Sequence, residues 1–212
     1  MEKGDVFVIS APSGGGKTTI CRMLVKRLDN IELSISYTTR HQKVGEVDGK
    51  DYYFIEPERF DIMINSREFL EFASVYGNRY GTSREAVRSI VSRGKDAVLE
   101  IDVQGGQIVK ENLPEAVRVA IFPPDWQSLE ERLVGRGRDS PAEVKARLQA
   151  AAIEVRDLLS YDYLVVNDNL EAAVARVEWI VRAARLRRER SSLRLTKLFE
   201  GSGEGNHGES DR

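Results

Sequence analysis

The chain has 212 residues, of which 41% are hydrophobic and 31% are charged, as in a soluble globular protein of one or two domains. Its formal net charge of −2 excludes an overall field that would attract nucleic acid or a membrane surface. A single cysteine, Cys21, excludes an internal disulfide framework. No signal-peptide pattern opens the chain, and no apolar run approaches the roughly 20 residues that span a bilayer. We therefore expect a cytoplasmic protein that binds neither nucleic acid nor membrane.

The predicted elements alternate between strands and helices from the start of the chain. Residues 6–9 form a short β-branched and aromatic run, a glycine-rich turn follows, and Ile20, Leu24 and Leu28 then recur at helical spacing. Further buried strands are predicted at 97–101, 117–122 and 163–166, and further helices at 126–134, 141–159 and 170–187. This order predicts an α/β fold with a central parallel sheet flanked by helices.

The middle of the chain interrupts this alternation. Residues 34–83 are rich in tyrosine, glycine and charge and contain short strand-like pieces such as 52–55, which predicts a small β-rich insertion. We expect residues 1–33 and 84–200 to form the α/β core, with a basic loop at 135–140 between two helices. Residues 201–212 lack apolar side chains and are expected to form a disordered tail.

The most specific local motif is APSGGGKT at Ala11–Thr18, which matches the phosphate-loop pattern G-x-x-x-x-G-K-[ST] except that alanine replaces the first glycine. In such a loop, backbone N–H groups and the start of the next helix surround phosphate oxygens. Lys17 would reach the β- and γ-phosphates and Thr18 would contact magnesium. The predicted nucleotide-binding residues of this segment are Ala11, Pro12, Ser13, Gly14, Gly15, Gly16, Lys17, Thr18 and Thr19.

The surroundings of the loop decide between two interpretations. A glycine run alone is usually a flexible turn, and a lysine beside it is usually solvated. Here a buried strand precedes the run and an apolar-periodic helix follows it, which favours phosphate binding. The loop leaves the second substrate open, because ATPases, GTPases, motor proteins and small-molecule kinases share it.

Five further motifs resemble those of the guanylate kinase family. They are SYTTR at 36–40, GEVDGKDYYF at 45–54, FLEFA at 69–73, NRYGT at 78–82 and EIDVQG at 100–105. The resemblance runs from residue 4 to about residue 188. It implies a P-loop kinase that transfers a phosphoryl group from ATP to GMP, and also to dGMP, with Mg²⁺. It also makes residues 34–83 the GMP-binding subdomain.

The resemblance assigns residues to the acceptor nucleotide. By similarity, Glu71 and Asp102 would accept hydrogen bonds from guanine, while Ser36 and Thr82 would donate near its O6 atom. The phosphate of GMP would be bound by Arg40, Lys43, Tyr52 and Tyr80. Lys43 stands where the family usually has an arginine, so its charge is kept but its bidentate geometry is lost. Asp102 is also a candidate, with Thr18, for ordering Mg²⁺ or its waters.

A helical lid is expected at about 132–147. By resemblance, Arg132, Arg136 and Arg147 would contact phosphates, and Arg136 and Arg147 would join Lys17 as the catalytic cations. Asn167 resembles the family's adenine-side segment. Taken alone, the same arginines are a charged helix face beside a flexible turn.

Three other functions are weighed against this one. A non-catalytic module of the same family, binding a phosphorylated protein segment, typically has a degraded phosphate loop, whereas Gly16, Lys17 and Thr18 are intact here. A P-loop kinase acting on a phosphorylated sugar should lack the set of Ser36, Glu71 and Thr82. A GTPase switch protein should contain an N-K-x-D motif, which this sequence lacks. The sequence leaves a monomer and a small homo-oligomer open.

Overall fold

The computed structural model describes residues 3–135 and 141–187, together with Ser192, Leu195, Thr196 and Phe199; for 141–143 it describes the backbone only. The strands are β1 Val6–Ser10, β2 Ile31–Leu33, β3 Tyr37–Thr38, β4 Tyr53–Phe54, β5 Phe69–Val75, β6 Asn78–Ser83, β7 Asp96–Glu100, β8 Val117–Phe122 and β9 Tyr163–Val166. The helices are α1 Lys17–Arg27, α2 Pro57–Asn65, α3 Arg84–Ser92, α4 Val103–Asn112, α5 Trp126–Val134, α6 Pro141–Leu158 and α7 Leu170–Ala184.

The larger sheet is parallel and has the strand order β2-β7-β1-β8-β9. Its faces are both covered, because β1 alternates between two apolar clusters. Phe7 and Ile9 pack with residues of α1 and α7, while Val8 packs with residues of α3 and α6. After β1 the chain forms β2 and β7 on one side of β1, and it then forms β8 on the other side. A crevice at the carboxyl ends of such strands is where open α/β sheets bind ligands.

The smaller sheet lies within the interrupted middle of the chain and has the order β4-β3-β6-β5. It packs with α2 around a core of Phe60, Met63 and Phe69. Strands β5 and β6 form an antiparallel hairpin whose turn residues, Tyr76 and Gly77, both have left-handed backbone conformations, with φ of 50° and 78°. Two left-handed residues are the signature of the tight turn that matches the twist of a hairpin.

Most sequence predictions of the core elements are confirmed. The bounds of α5, β8 and β9 are the predicted ones, α6 ends one residue earlier than predicted, and α7 ends at Ala184 rather than residue 187. Strand β2 and helices α2, α3 and α4 were not predicted, because their short apolar patterns are interrupted by glycine or charge. Arg136 and the predicted disordered tail lie outside the described residues. In the part of the chain that the structure describes, none of the helices combines the length and apolar character needed to cross a membrane.

The end of helix α6 supplies a stability test from two adjacent leucines, the last residue of the helix and the one after it. Leu158 is fully buried in the cluster beneath the parallel sheet, whereas Leu159 is 60% exposed. Leu158→Ala should therefore lower the free energy of unfolding by about 2–5 kcal/mol, and Leu159→Ala should change it by less than about 0.5 kcal/mol. Urea denaturation followed by circular dichroism measures both; equal losses would contradict this packing of α6.

Candidate active site

The phosphate loop links β1 to α1 and depends on two glycines with left-handed backbone. Gly14 and Gly16 have φ of 93° and 94°, a conformation that other residues rarely adopt. Space is also restricted: a Cβ on Gly14 would lie 3.0 Å from a methyl of Leu129 in α5, and one on Gly16 would lie 2.5 Å from Nδ2 of Asn167. Glycine is required at both positions for conformation and for close approach.

Asn167 and Arg132 hold the loop from the side of β9 and α5. The amide of Asn167 is buried, and its Nδ2 donates to the carbonyl of Gly15 at 3.0 Å. Arg132 in turn donates from Nη2 to the backbone carbonyl of Asn167 at 2.8 Å. Of these two residues, both predicted from the sequence to bind the nucleotide, Asn167 contacts the loop directly and Arg132 supports it through Asn167.

The first residues of α1 contact the carboxyl end of β7. Lys17 donates from Nζ to the carbonyl of Ile101 at 3.0 Å, and Thr18 donates its hydroxyl hydrogen bond to a carboxylate oxygen of Glu100. The next residue, Thr19, is exposed on the first turn of α1. The structure thus places the hydroxyl of Thr18 against Glu100, a residue that the sequence analysis did not assign, rather than against Asp102.

Asp102 caps the N-terminus of α4. Its Oδ1 accepts a hydrogen bond from the backbone N–H of Gly105 at 2.8 Å, and its carbonyl accepts one from the hydroxyl of Ser10 at 3.2 Å. Gly105 also allows β5 to approach, since a Cβ there would lie 2.5 Å from Oε2 of Glu71. The carboxyl groups of Asp102 and Glu71 therefore meet at the start of α4.

Glu71 and Thr82 form a buried pair across the β5–β6 hairpin. Glu71 is 3% exposed and Thr82 is fully buried, and the hydroxyl of Thr82 donates to Oε1 of Glu71 at 2.5 Å. Burial raises the pKa of Glu71 to about 7; the Thr82 hydrogen bond opposes this rise and the charge of Asp102 adds to it. This pair presents a buried hydrogen-bond acceptor next to a hydroxyl.

Arg40 lies just after β3, in a cluster of aromatic and acidic side chains of the insertion. Its Nη2 donates to both carboxylate oxygens of Glu46, at 2.8 and 3.0 Å, and its guanidinium lies 5.4 Å from the centre of the Tyr52 ring. The Tyr52 and Tyr80 rings are 5.8 Å apart, and burial raises the pKa of Tyr52 to about 12, so its hydroxyl stays protonated. Lys43 is exposed and donates its backbone N–H to Glu46.

Ser36 is buried immediately before β3, and its carbonyl accepts the backbone N–H of Tyr53 at 2.9 Å. A pocket beside it connects the insertion with the carboxyl end of β7. The lining residues are Arg22, Leu33, Ser34, Ile35, Ser36, Lys50, Asp51, Tyr52 and Glu100. The side chains of Arg22 and Asp51 form an ion pair at 2.5 Å, which joins α1 to the insertion at the rim of this pocket.

The sequence-derived candidates thus fall into two groups around β7 and α4. The loop residues, Arg132 and Asn167 form the group at β1 and α1, while Ser36, Arg40, Tyr52, Glu71, Tyr80 and Thr82 lie in the smaller sheet or the loops joined to it. Arg147 lies on α6 with its guanidinium 5.3 Å from the centre of the Tyr76 ring. Arg136 lies outside the described residues.

Sequence reasoning missed two acidic residues that contact the loop. Glu100 ends β7, and a polar residue at the carboxyl end of a buried parallel strand is a signal that could have identified it. The second, Glu154 of α6, accepts the backbone N–H of Ser13. A single glutamate on a charged helix carries no such signal.

The central parallel sheet, the glycine-rich loop between β1 and α1, and the acidic residues at the end of β7 together define a P-loop kinase fold. A protein-family model of guanylate kinase matches residues 3–184, and the chain belongs to this family. It is 47% identical over 201 residues to the guanylate kinase of Carboxydothermus hydrogenoformans, covering 95% of this chain and 98% of that protein. The guanylate kinase of Dechloromonas aromatica is 45% identical over 93% of this chain and 98% of its own length.

A solved structure supports the same assignment. The crystal structure of guanylate kinase from Anaplasma phagocytophilum has a TM-score of 0.77 and 32% sequence identity with this chain, and the match covers 95% of this chain and 96% of that one. The resemblance seen in the sequence motifs is therefore confirmed at the level of family and fold.

The buried Glu71 predicts a pH-dependent stability. Its pKa is raised from 4.5 to about 7 in the folded protein, so the folded state retains a proton that the unfolded chain has lost. The associated stability is complete below pH 4.5 and is lost as the pH rises through 7. Between pH 5 and pH 8, the free energy of unfolding of wild type should fall by about 3 kcal/mol more than that of Glu71→Gln.

Denaturant unfolding at several pH values measures this difference. The control is Glu58→Gln, which removes an exposed carboxyl group of α2 and keeps Glu71, so the loss of unfolding free energy between pH 5 and pH 8 should persist in it. Parallel profiles for wild type and Glu71→Gln would contradict the assigned protonation of Glu71.

Proposed function

We propose that this guanylate kinase family member transfers the γ-phosphoryl group of ATP to GMP, giving ADP and GDP. The observation that supports this most strongly is the combination of an intact phosphate loop with the buried Glu71–Thr82 pair in one chain. The loop provides the donor half of the reaction and the pair provides a guanine-specific acceptor half. The two halves meet at the carboxyl end of β7 and the start of α4.

In the donor half, the phosphates of ATP would lie on the backbone N–H groups of Ala11–Thr18, supported by the start of α1. Lys17 would exchange the carbonyl of Ile101 for the β- and γ-phosphate oxygens. Asn167, which contacts the loop, and Arg132, which supports Asn167, would contact the rest of ATP.

The donor set at Thr18 and Glu100 fits Mg²⁺. A hydroxyl and a carboxylate already within hydrogen-bond contact are hard oxygen ligands, and Mg²⁺ in phosphoryl-transfer sites takes few protein ligands besides the phosphates and water. The chemistry supplied by the bound ion is neutralisation of charge on the β- and γ-phosphates. Asp102 remains a candidate for ordering waters of the ion, with one carboxylate oxygen retained by Gly105.

In the acceptor half, guanine offers N–H donors at N1 and N2 and an acceptor at O6. Glu71 and Asp102 would accept hydrogen bonds from these N–H groups. Ser36 would donate toward O6, and Thr82 would do so by exchanging its hydrogen bond to Glu71 for one to the base. Adenine lacks the N1 and N2 donors and would leave the carboxyl groups without partners, and a mismatch of this kind can discriminate by about 10⁴-fold or more. GMP is the proposed acceptor, with dGMP as a second one.

The phosphate of GMP would be bound by Arg40, Tyr52 and Tyr80, with Lys43 at the rim. Arg40 is already held in place by Glu46 and by the ring of Tyr52, so little side-chain freedom would be lost on binding. The remaining cation, Lys43, is exposed and would contribute as a point charge rather than a bidentate donor.

Transfer requires two anionic nucleotides to approach in line. The attacking oxygen of GMP is already anionic, so positioning and charge stabilisation are needed rather than a general base. Lys17, Arg136 and Arg147 would stabilise the charge on the transferred group.

We propose a core of 1–33 and 84–200, a GMP-binding subdomain of 34–83 and a lid of about 132–147, whose closure would exclude water. We also propose a cytoplasmic location, in keeping with the buried free thiol of Cys21.

A panel of acceptor nucleotides tests the proposed function. In a coupled assay with ATP and Mg²⁺, GMP and dGMP should be phosphorylated, while AMP and CMP should be poorer acceptors by at least about 10³-fold in kcat/KM. Omission of Mg²⁺ should abolish turnover. Equal turnover of AMP and GMP would overturn the assigned guanine pocket.

Lys17→Ala separates the two halves of the site. Loss of the phosphate-stabilising cation should lower kcat by at least about 10²-fold, whereas GMP affinity measured by calorimetry should be retained because no acceptor residue changes. Lys26→Ala, an exposed lysine on the same helix, is the matched control and should behave as wild type. Simultaneous loss of GMP binding in Lys17→Ala would show that donor and acceptor sites are misplaced.

A further inference from the structure

A carboxylate already occupies part of the phosphate loop. Oε2 of Glu154, on α6, accepts the backbone N–H of Ser13 at 3.1 Å. Backbone N–H groups of this loop are the donors that bind phosphate oxygens. The carboxylate of Glu154, 141 residues away along the chain, therefore accepts a hydrogen bond from one of the donors of the anion site.

The charges around Glu154 are those of the reaction centre. The cation facing it is Lys17, and the acidic groups are Asp102 at the start of α4 and Asp157 on its own helix. Burial raises the pKa of Glu154, and the hydrogen bond from Ser13 opposes that rise. The side chain is partly buried, so solvent screens its charge less than that of an exposed glutamate.

The helix that carries Glu154 also contacts the smaller sheet. Arg147 lies seven residues earlier on α6, which is about two turns and therefore the same face of the helix. Its guanidinium lies over the ring of Tyr76, in the turn between β5 and β6. Helix α6 thus touches the donor loop at one point and the acceptor subdomain at the other.

We propose that Glu154 is a positioning residue that serves as the internal anion of the phosphate loop until ATP binds. The inference rests on the proposed function, because it requires the nucleotide phosphates to lie on Ala11–Thr18. An arriving phosphate competes with the carboxylate for the N–H of Ser13 and repels its charge. Release of Glu154 frees α6 from the loop, so that donor binding and the position of Arg147 are linked through one helix.

The test uses two variants. Glu154→Gln removes the charge and keeps a hydrogen-bond acceptor, whereas Glu154→Ala removes both. Binding of ADP and of inorganic pyrophosphate is measured by calorimetry in EDTA, so that no metal ion contributes. A hydrogen bond to a charged group typically contributes more than one to a neutral group, so the amide of Glu154→Gln competes less well for the N–H of Ser13. Glu154→Gln should therefore bind both ligands roughly tenfold more tightly than wild type. Glu154→Ala should also bind them more tightly.

The matched control is Glu111→Gln, which removes a charge from an exposed position in the last turn of α4, at the end of that helix away from Asp102, and should bind both ligands as wild type does. In the coupled assay, Glu154→Gln should lower the KM for ATP and leave the KM for GMP unchanged, a split that a general loss of structure would not produce. Thermal unfolding confirms that each variant is folded.

The outcomes distinguish this inference from the proposed function. Unchanged or weaker ADP binding in a folded Glu154→Gln would overturn the inference, because it would show that the carboxylate supports the loop rather than competing with phosphate. If wild type itself bound neither ADP nor pyrophosphate, the donor site of the proposed function would fail instead.

Discussion

The left-handed backbone of Gly14 and Gly16 is the constraint on which the rest of the site depends. A loop that turns its N–H groups inward must place residues at positive φ, and here the loop is also held closely on several sides. Asn167 holds it from the end of β9, Leu129 packs on it from α5, and Glu154 contacts it from α6. The parallel sheet supplies the rigid frame that brings these three elements to one edge.

The polar groups of the site have internal partners whose chemistry resembles that of the substrates. Lys17 contacts a carbonyl, Thr18 contacts a carboxylate, and Arg40 is held by both oxygens of a carboxylate. Since the protein carries a net charge of only −2, substrate affinity in the proposed function would depend on exchanging these local partners for phosphate oxygens. The difference between the old and new partners, rather than the total charge, sets the strength of binding.

The sequence predicted the parts of this protein that short-range patterns determine. Runs of β-branched residues located β1, β8 and β9, and the glycine-lysine-threonine motif located the loop. These short-range patterns could not show that Thr18 contacts Glu100 or that Glu154 contacts Ser13, because both contacts depend on how distant elements pack together. Helix α4 was missed for a local reason: its first turns contain Gly105 and Gly106, which lower helix propensity but allow Glu71 and Tyr161 to approach closely.

The tight turn at Tyr76 and Gly77 has a consequence for how base selectivity can be lost. From that turn the ladder runs in unbroken register from the pair Val75–Asn78 to the pair Glu71–Thr82. Side chains alternate between faces at every residue of a strand, so a change at the exposed tip that slipped the pairing register by one residue would rotate Thr82 away from Glu71. The hydroxyl and the carboxyl would then point to opposite sides of the sheet, although every residue of the pocket would be unchanged. In the proposed function, recognition of the base would thus depend partly on the register set by Tyr76 and Gly77, a hairpin tip that contains none of the proposed nucleotide-binding residues.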